Sequence, residues 1–593
     1  MCDKLYASIG LCNLELLRTP SSKRSVHLIT ISNFLQVFAA EGYVPRLQQS
    51  GAVFYTASNR PQVVGLPLNL KLVAMMDPNG MTLWEEEPEL HSPVADYYRD
   101  KVVLLTGATG FLGKLYTCKL FRCGVKELIV IVREKKGLSP KERMEKVMEK
   151  ERIFKVHGFQ KEDYLKKITV IDGDMELPRV GLSEEDLEYV KERTEIVLHA
   201  AADVRFDEAL NKIIITNVQG TLEILNLCVS MRKMELLIYI STAYANCVNM
   251  TVYEQFYEPP MDPLKMMELM KTVDDEQSEI LTQMIIQPWP NTYTYAKNLA
   301  EQLVKMYFDK INIVIVRPSV VASTMEDPIQ GWTDNLYGLN GVIVGAGCGI
   351  LRVLNAADHK RVDVIPADYV INGTLVAAHR AAEDYRHNAP STEPDKVHIY
   401  HVASGVDNPL TNGMIQKLTK TIGADNPPLR SLWIGSYVSN ESPTVNMILA
   451  ILLHFIPGMI IDALLNFKGK KPRLMKIYRK VRKFTKTLEF FSTQEFTFVN
   501  DKMRQIIKTM TPGDKKHFQC DMRTITWEDY FNIYYPGLKM YLLKEGTETW
   551  EAAKQRYDRL DMITIYSAKA AVVFGIYWII CYVLNLYFPA LVN

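Results

Sequence analysis

Thr106-Gly107-Ala108-Thr109-Gly110-Phe111-Leu112-Gly113-Lys114 follows the apolar run Val102-Val-Leu-Leu105 and opens a stretch with helical character. A strand, a GxxGxxG turn and a helix in that order form a seat for a dinucleotide pyrophosphate. Glycine lets the backbone turn sharply and approach the phosphates, and the helix N-terminus offers unsatisfied N–H donors to the anion. A bare glycine triplet can be a mere turn; the flanking strand and helix favour a cofactor. The candidate contacts are Thr106, Gly107, Thr109, Gly110, Phe111, Leu112 and Gly113.

Working outward, five more runs share the apolar, β-branched character of the first: Leu128–Val132, Ile168–Ile171, Ile196–His199, Leu236–Ile240 and Ile313–Val316. Runs without polar alternation, separated by helical stretches, are strands buried on both faces. They predict an α/β fold, a Rossmann-like doubly wound parallel sheet covered by helices. At the end of the second run stands Val132-Arg133-Glu134-Lys135-Lys136, where a carboxylate would select NAD by its ribose 2′-hydroxyl. Arg133 and its lysine neighbours suit a 2′-phosphate instead, which favours NADPH. The competing reading is a solvated basic turn with Glu134 as the NAD carboxylate. Asp174, after the third run, is a candidate for adenine, and Ala200 and Ala201, after the fourth, are small enough to admit the cofactor; either segment could equally be an ordinary loop.

The catalytic candidates flank the last interval, in Ser241-Thr242-Ala-Tyr-Ala-Asn246 and Asn291-Thr-Tyr293-Thr-Tyr295-Ala-Lys297. Tyr293 and Lys297 are four apart and share a helix face. An ammonium beside a phenol lowers the phenol's pKa and can hold the nicotinamide ribose, while the phenol protonates a carbonyl oxygen receiving hydride. Thr242, or Ser241, would hydrogen-bond the same oxygen. A lone YxxxK is common by chance; its place after the glycine loop and the Ser-Thr strand end gives it weight.

Composition bounds the remaining choices. The chain has 593 residues with 69 basic and 68 acidic side chains, a formal net charge of +1, 48% apolar and 23% charged residues. That excludes a disordered regulator and a generic nucleic-acid binder. Cysteines at 2, 12, 118, 123, 228, 247, 348, 520 and 581 are odd in number with no CxxC pair, which argues for reduced thiols facing the cytosol, and neither a disulfide framework nor a metal site is expected. Residues 1–80 hold four acids against seven Lys and Arg and no sustained period; this suits a loosely ordered extension, 1–95, with an amphipathic transit peptide as the alternative.

The motifs TGATGFLGK (Thr106–Lys114), AADVRFDEAL (Ala201–Leu210), NVQGT (Asn217–Thr221), STAYAN (Ser241–Asn246), NTYTYAKNLAE (Asn291–Glu301), VRPSVV (Val316–Val321) and GWTDNLYG (Gly331–Gly338) resemble the extended short-chain dehydrogenase/reductases. More narrowly, they resemble the alcohol-forming fatty acyl-CoA reductases, from about residue 95 to 545. The resemblance implies an NADPH-dependent enzyme that takes long-chain acyl-CoA to a primary alcohol through an aldehyde. Tyr293 and Lys297 fall on the family's YxxxK, Thr242 on its hydroxyl position, and Gly107, Gly110 and Gly113 on its phosphate loop. Glu134 departs from the family, whose members often have Pro there, and the first 95 or so residues match nothing recognised in it. Residues 96–425 are the expected reductase domain and 440–548 the family's helical C-terminal domain, which shapes an acyl tunnel. The rival functions are a sterol- or sugar-directed dehydrogenase or epimerase and a non-catalytic NADPH-binding membrane scaffold.

Two segments point to a membrane as partner. Val445–Phe467 is apolar but interrupted by His454, Pro457-Gly458 and Asp462, which argues against a full span and for a buried or interface-lying helical hairpin. After it, Lys468 to Lys486 carries ten Lys or Arg and no acid, read either as a solvated face or as a patch for anionic headgroups or CoA phosphates. Residues 570–588 are uncharged and reach roughly 28 Å as a helix, close to the hydrocarbon thickness of a bilayer; a core helix is the alternative. Lys554, Arg556, Arg559 and Lys569 precede this stretch, so the catalytic body is expected on the cytosolic side, with the peroxisomal membrane preferred over the endoplasmic reticulum on family grounds. A homo-oligomer is left open.

Overall fold

The computed structural model describes residues 90–394 and 396–587, and within 9–88, which falls in a separate unit, only the antiparallel pair Val53–Phe54 and Gln62–Val63. Apart from that pair, the expected extension lies, up to residue 89, outside the described residues, as does the last residue of the expected span, Phe588.

Seven parallel strands form the central sheet: β1 (Val102–Thr106), β2 (Glu127–Val132), β3 (Ile168–Asp172), β4 (Ile196–His199), β5 (Leu236–Ile240), β6 (Ile313–Pro318) and β7 (Ile399–Val402). Their order, β7-β6-β5-β4-β1-β2-β3, reverses direction at β1, as in a doubly wound sheet. Six strands were expected; Ile399–Val402 adds a seventh at the β6 edge, pairing in parallel with Ile315–Pro318.

Period-two alternation divides each strand between two cores. Val103, Leu105, Val130, Leu198, Ile238 and Val314 face one. Val102, Leu104, Ile129, Val197, Leu237 and Ile315 face the other. Runs without polar alternation are thus explained by helices on both faces.

The helices that position the site are α1 (Phe111–Arg122), α2 (Thr292–Lys305), α3 (Ala367–Tyr385), α4 (Pro443–Phe467), α5 (Leu474–Thr493), α6 (Trp527–Tyr541) and α7 (Trp550–Tyr587). α6 belongs to the core of the first face: Tyr530 and Tyr534 are fully buried there, and the Tyr530 hydroxyl donates to the Ser323 carbonyl at 2.8 Å. After α5, Thr497–Phe498 pairs in parallel with Thr251–Val252, tying the C-terminal module to the segment after β5.

α4 corrects one part of an expectation: the hairpin does not turn within Val445–Phe467, which is a single helix. His454, Pro457-Gly458 and Asp462 do not break the helix, which runs for 25 residues with one π-helical stretch, Ile451–Phe455. Proline at 457 has no N–H for the Leu453 carbonyl four residues back. Arg352 Nη1 donates to that carbonyl instead, at 3.5 Å. α4 and the segment Thr547–Leu584 are both long and apolar enough to cross a membrane; the apolar window of the latter has no part buried in the protein, which counts against a core helix.

Candidate active site

The glycine loop is built as the spacing demands. Gly107 has φ +76°, a conformation that glycine alone adopts without strain, and the Gly110 N–H donates to its carbonyl at 2.8 Å. A Cβ on Gly113 would lie 2.0 Å from that same carbonyl oxygen, so α1 approaches the loop closer than any side chain permits. This is a cradle shaped for phosphate oxygens at the head of α1. Behind it, the buried Thr106 Oγ1 accepts from the N–H groups of Ala200 and Ala201, both at 3.1 Å, and meets His199 Nδ1 at 2.8 Å. With two N–H groups filling its acceptor side, the hydroxyl proton points at His199 Nδ1. That assigns the ring proton to Nε2, which faces the Thr221 hydroxyl at 3.2 Å. Burial lowers His199 to about 3, so the ring is neutral and ties β1 to β4 beneath the loop.

At the outer ends of β2 and β3, Arg133 pairs with Asp174 at 3.1 Å and with Glu176 at 3.3 Å. The two residues assigned from sequence to the adenosine end are therefore neighbours. Further cations converge there. The Lys135 ammonium is held below its ordinary pKa by burial and by the charges of Arg133, Arg143, Lys136 and Arg205. Arg143 also reaches the Thr109 hydroxyl at 3.4 Å. An anion placed beside Lys135 and Arg143 would relieve both the burial and the crowding of charge, while Arg133 and Arg205 are already paired with Asp174, Glu176, Asp203 and Glu208. Lys135 is one of the lysine neighbours that the sequence assigned with Arg133; Arg143 and Arg205 were missed because packing, not spacing, brings them there.

A cavity of about 350 Å³ joins the loop to the catalytic candidates. Its lining contains Gly107, Gly110, Phe111, Leu112, Gly113, Ala200, Ser241, Thr242, Tyr293 and Lys297. Of the residues assigned from sequence, Thr106, Thr109, Ala201, Arg133 and Asp174 lie outside that lining. Asn291 starts α2 by accepting from the Thr294 N–H at 2.9 Å, which fixes where the helix begins and hence which face Tyr293 and Lys297 share. Tyr295 turns away, fully buried against Trp289.

The Lys297 ammonium is buried, donates to the Ile240 carbonyl at 2.7 Å and sits 4.9 Å from the Tyr239 ring centroid. Burial lowers it to about 8, against the opposing pull of Glu301. The Tyr293 phenol is pushed well above its ordinary value by burial. The sequence reading expected the ammonium to lower that phenol; in the structure desolvation dominates, so the group stands protonated as a donor.

The choice between Ser241 and Thr242 is sharpened by geometry. Ser241 Oγ is held by the buried Glu301 carboxylate, whereas Thr242 Oγ1 accepts from the Tyr244 N–H at 3.3 Å and has only a long, 3.4 Å contact to the Pro318 carbonyl. Glu301, missed from sequence, is one more step of four along α2 from Lys297 and pairs with the fully buried Arg317 at 2.7 Å. The period that led to Lys297 was the signal that could have found it.

The rest of the cavity wall comes from distant parts of the chain and is largely apolar, with Asn335, Asn412 and Ser492 among the polar exceptions. Phe206 stacks on Tyr293 with centroids 5.8 Å apart, and Phe491 of α5 packs on Phe206 at 5.7 Å. Leu488 of α5, with Val342 and Leu354, carries the lining away from the polar end. Trp332 stacks on Phe111, and Lys114 is salt-bridged to Asp334, so the 331–338 segment is pinned against the glycine loop.

A family model described as male sterility protein matches residues 105–374, and a second with the same description matches 453–545. The chain is 35% identical over 492 residues to fatty acyl-CoA reductase wat of Drosophila melanogaster, covering 82% of this chain and 93% of that protein. It is 33% identical over 475 residues to fatty acyl-CoA reductase 1 of Rattus norvegicus, covering 79% and 90%. Among solved structures, the reductase (R) domain of a nonribosomal peptide synthetase from Mycobacterium tuberculosis is similar at a TM-score of 0.49 and 16% identity, covering 76% of this chain and 96% of that one.

Proposed function

The chain belongs to the fatty acyl-CoA reductase family, and from that premise we propose that it reduces long-chain or very-long-chain acyl-CoA to the primary alcohol with two NADPH, releasing CoA by way of an aldehyde. The observation that carries the reading is the single cavity in which the glycine loop, Thr242, Tyr293 and Lys297 open onto apolar walls from α5 and its neighbours. A thioester with a long aliphatic tail needs both ends of that cavity.

The glycine loop and the cations around Lys135 would hold the pyrophosphate and the 2′-phosphate, and Lys297 the nicotinamide ribose. A cofactor so bound supplies hydride in each of two reductions. In the first, Tyr293 donates its proton to the thioester oxygen as the carbonyl carbon gains hydride, and Thr242 hydrogen-bonds the same oxygen. When the hemithioacetal collapses, the phenolate takes that proton back, the C–S bond breaks, and CoA leaves as the thiol with a proton from solvent. In the second, Tyr293 protonates the aldehyde oxygen and is recharged from solvent. Each tetrahedral oxyanion forms at one place, so one pair of donors serves both steps. NADPH oxidation with acyl-CoAs of graded length, with alcohol and aldehyde both quantified, tests the proposal; cofactor binding without oxidation would defeat it.

Two expectations follow from the charges. Replacing Lys135 and Arg143 together by Ala should raise KM for NADPH by about tenfold or more and leave that for NADH nearly unchanged. Equal losses for both cofactors would remove the 2′-phosphate from this site. Lys297, lowered to about 8, loses its charge as pH rises, so kcat/KM should fall through an alkaline limb near that value. Stability should move the opposite way: between about 8 and 10.5 the unfolded lysine holds the proton that the folded one has released, and folding gains as pH climbs through that window. A pH–rate profile beside a pH–melting profile reads both.

The terminal helix α7 anchors the chain with the catalytic body in the cytosol, and the family resemblance favours the peroxisomal membrane over the endoplasmic reticulum.

A further inference from the structure

α4 presents two unlike faces. His454, Gly458 and Asp462 recur every four residues and form one stripe. Each is committed to the protein. The His454 ring accepts from the Arg352 N–H at 2.9 Å and stacks on Tyr478, and a Cβ on Gly458 would lie 2.8 Å from the Tyr478 ring. The Asp462 carboxylate accepts from the N–H groups of Arg473, Leu474 and Met475, all at 2.9 Å, and so caps the start of α5. The interruptions that looked like helix breakers are the rivets of a hairpin. Away from them, Ile448, Leu452, Met459, Ile460, Leu464 and Phe467 are exposed, Phe467 to 91%.

A patch of this size on a soluble surface calls for a cover, and its surroundings say which. α4 has a mean hydropathy of 2.3 over its most apolar window, a membrane value. α5, clasped to it, buries Leu474, Ile477 and Tyr478 and leaves Lys476, Arg479, Lys480, Arg482 and Lys486 exposed. Apolar side chains next to a strip of cations match acyl chains next to anionic headgroups. The hairpin is also rooted beside the membrane-length α7. Arg352, which holds α4, lies over the Trp433 ring at 4.9 Å, and Ser431, two residues earlier, accepts from Arg556 of α7. A full crossing by α4 would drag Asp462 and the capped end of α5 into hydrocarbon, which the chemistry of both forbids.

We propose that the α4–α5 hairpin is a membrane-seating element that does not cross: α4 lies in the plane of an anionic lipid surface with its apolar face among the acyl chains, and α5 rests its cations on the headgroups. The far end of α5 supplies Leu488 and Phe491 to the cavity. On the reading of the substrate given above, the seat places the cavity beside the surface from which a long acyl chain would enter.

The full chain, reconstituted in vesicles of phosphatidylcholine with and without phosphatidylserine, carries a benzoylphenylalanine at position 460 or 467, and at 284 as a control, because Met284 is 77% exposed on another helix. Irradiation should give lipid adducts at 460 and 467 and few at 284, with several-fold more in the anionic vesicles. Lys476→Gln, Arg479→Gln and Lys480→Gln together should erase that difference between lipids while cofactor binding persists. Vesicle-bound protein without lipid adducts at 460 and 467 overturns the proposal, as do adducts to a second copy of the chain, which would make the face a dimer interface. Lipid adducts in a protein that oxidises no NADPH with acyl-CoA would leave the seat standing and defeat the proposed function instead.

Discussion

Tyr293→Phe should reduce both NADPH oxidation with acyl-CoA and alcohol formation by ~10² to 10⁴-fold, the usual worth of a positioned proton donor. The substitution removes one hydroxyl and keeps the ring that stacks on Phe206. The phenol has no other structural duty, since it lines the cavity and burial holds it protonated. Fold and cofactor affinity should therefore survive, which a melting curve and a fluorescence titration with NADPH would establish in the same preparation. The variant also tests whether one constellation serves both reductions. If Tyr293 protonates both the thioester and the aldehyde oxygen, a supplied long-chain aldehyde should be reduced as poorly as acyl-CoA. Normal aldehyde reduction beside failed acyl-CoA reduction would assign the two oxyanions to different donors, and full turnover with both would remove Tyr293 from the chemistry.

How the site could be read from the chain divides along physical lines. The glycine loop, the Ser-Thr strand end and the Tyr293–Lys297 pair were legible because each is a local pattern, set by a turn or by a helical period, and the sheet order carries their strand ends to one edge. The cation cluster was half legible: Arg133 follows a strand, but Arg143 comes from the next helix and Arg205 from the loop after β4, and only packing brings them together. The seventh strand was missed because 80 residues separate Ile313–Pro318 from Ile399–Val402, and no local pattern reports which edge a late strand will join. The α4 interruptions misled for a similar reason. In isolation, Pro457 and Asp462 weaken a helix, whereas here Arg352 takes up the carbonyl that proline frees and the start of α5 satisfies the carboxylate. A polar residue in an apolar run reports a partner as readily as a break.

Glu301→Gln should be the most damaging change outside the reacting groups. Glu301 and Arg317 are 1% and 0% exposed, paired at 2.7 Å and 2.9 Å through the Nη2 and Nε atoms of one guanidinium edge, and Arg317 turns its remaining donors to the Tyr253 and Gln255 carbonyls and the His401 ring. Taking the charge from the carboxylate leaves a guanidinium buried without its counter-ion, which costs about 3–5 kcal/mol. The loss should appear as a markedly lower unfolding midpoint. It should also reach the chemistry, because Glu301 holds Ser241 and lies on the same α2 face as Tyr293 and Lys297. Released from Glu301, Ser241 and its neighbour Thr242 are no longer fixed at the end of β5, and a donor misplaced by an ångström loses much of its effect. Activity should therefore fall even at temperatures where the variant is fully folded, with kcat reduced more than KM is raised. Pairing Glu301→Gln with Arg317→Met separates the two effects. Removing both charges ends the uncompensated burial, so the unfolding midpoint should recover toward wild type, while the Ser241 contact remains altered and kcat stays low. If the double variant melted as early as the single, the cost would lie in lost packing and not in charge, and the account of α2 as a stripe of three coupled ionisable groups would fail.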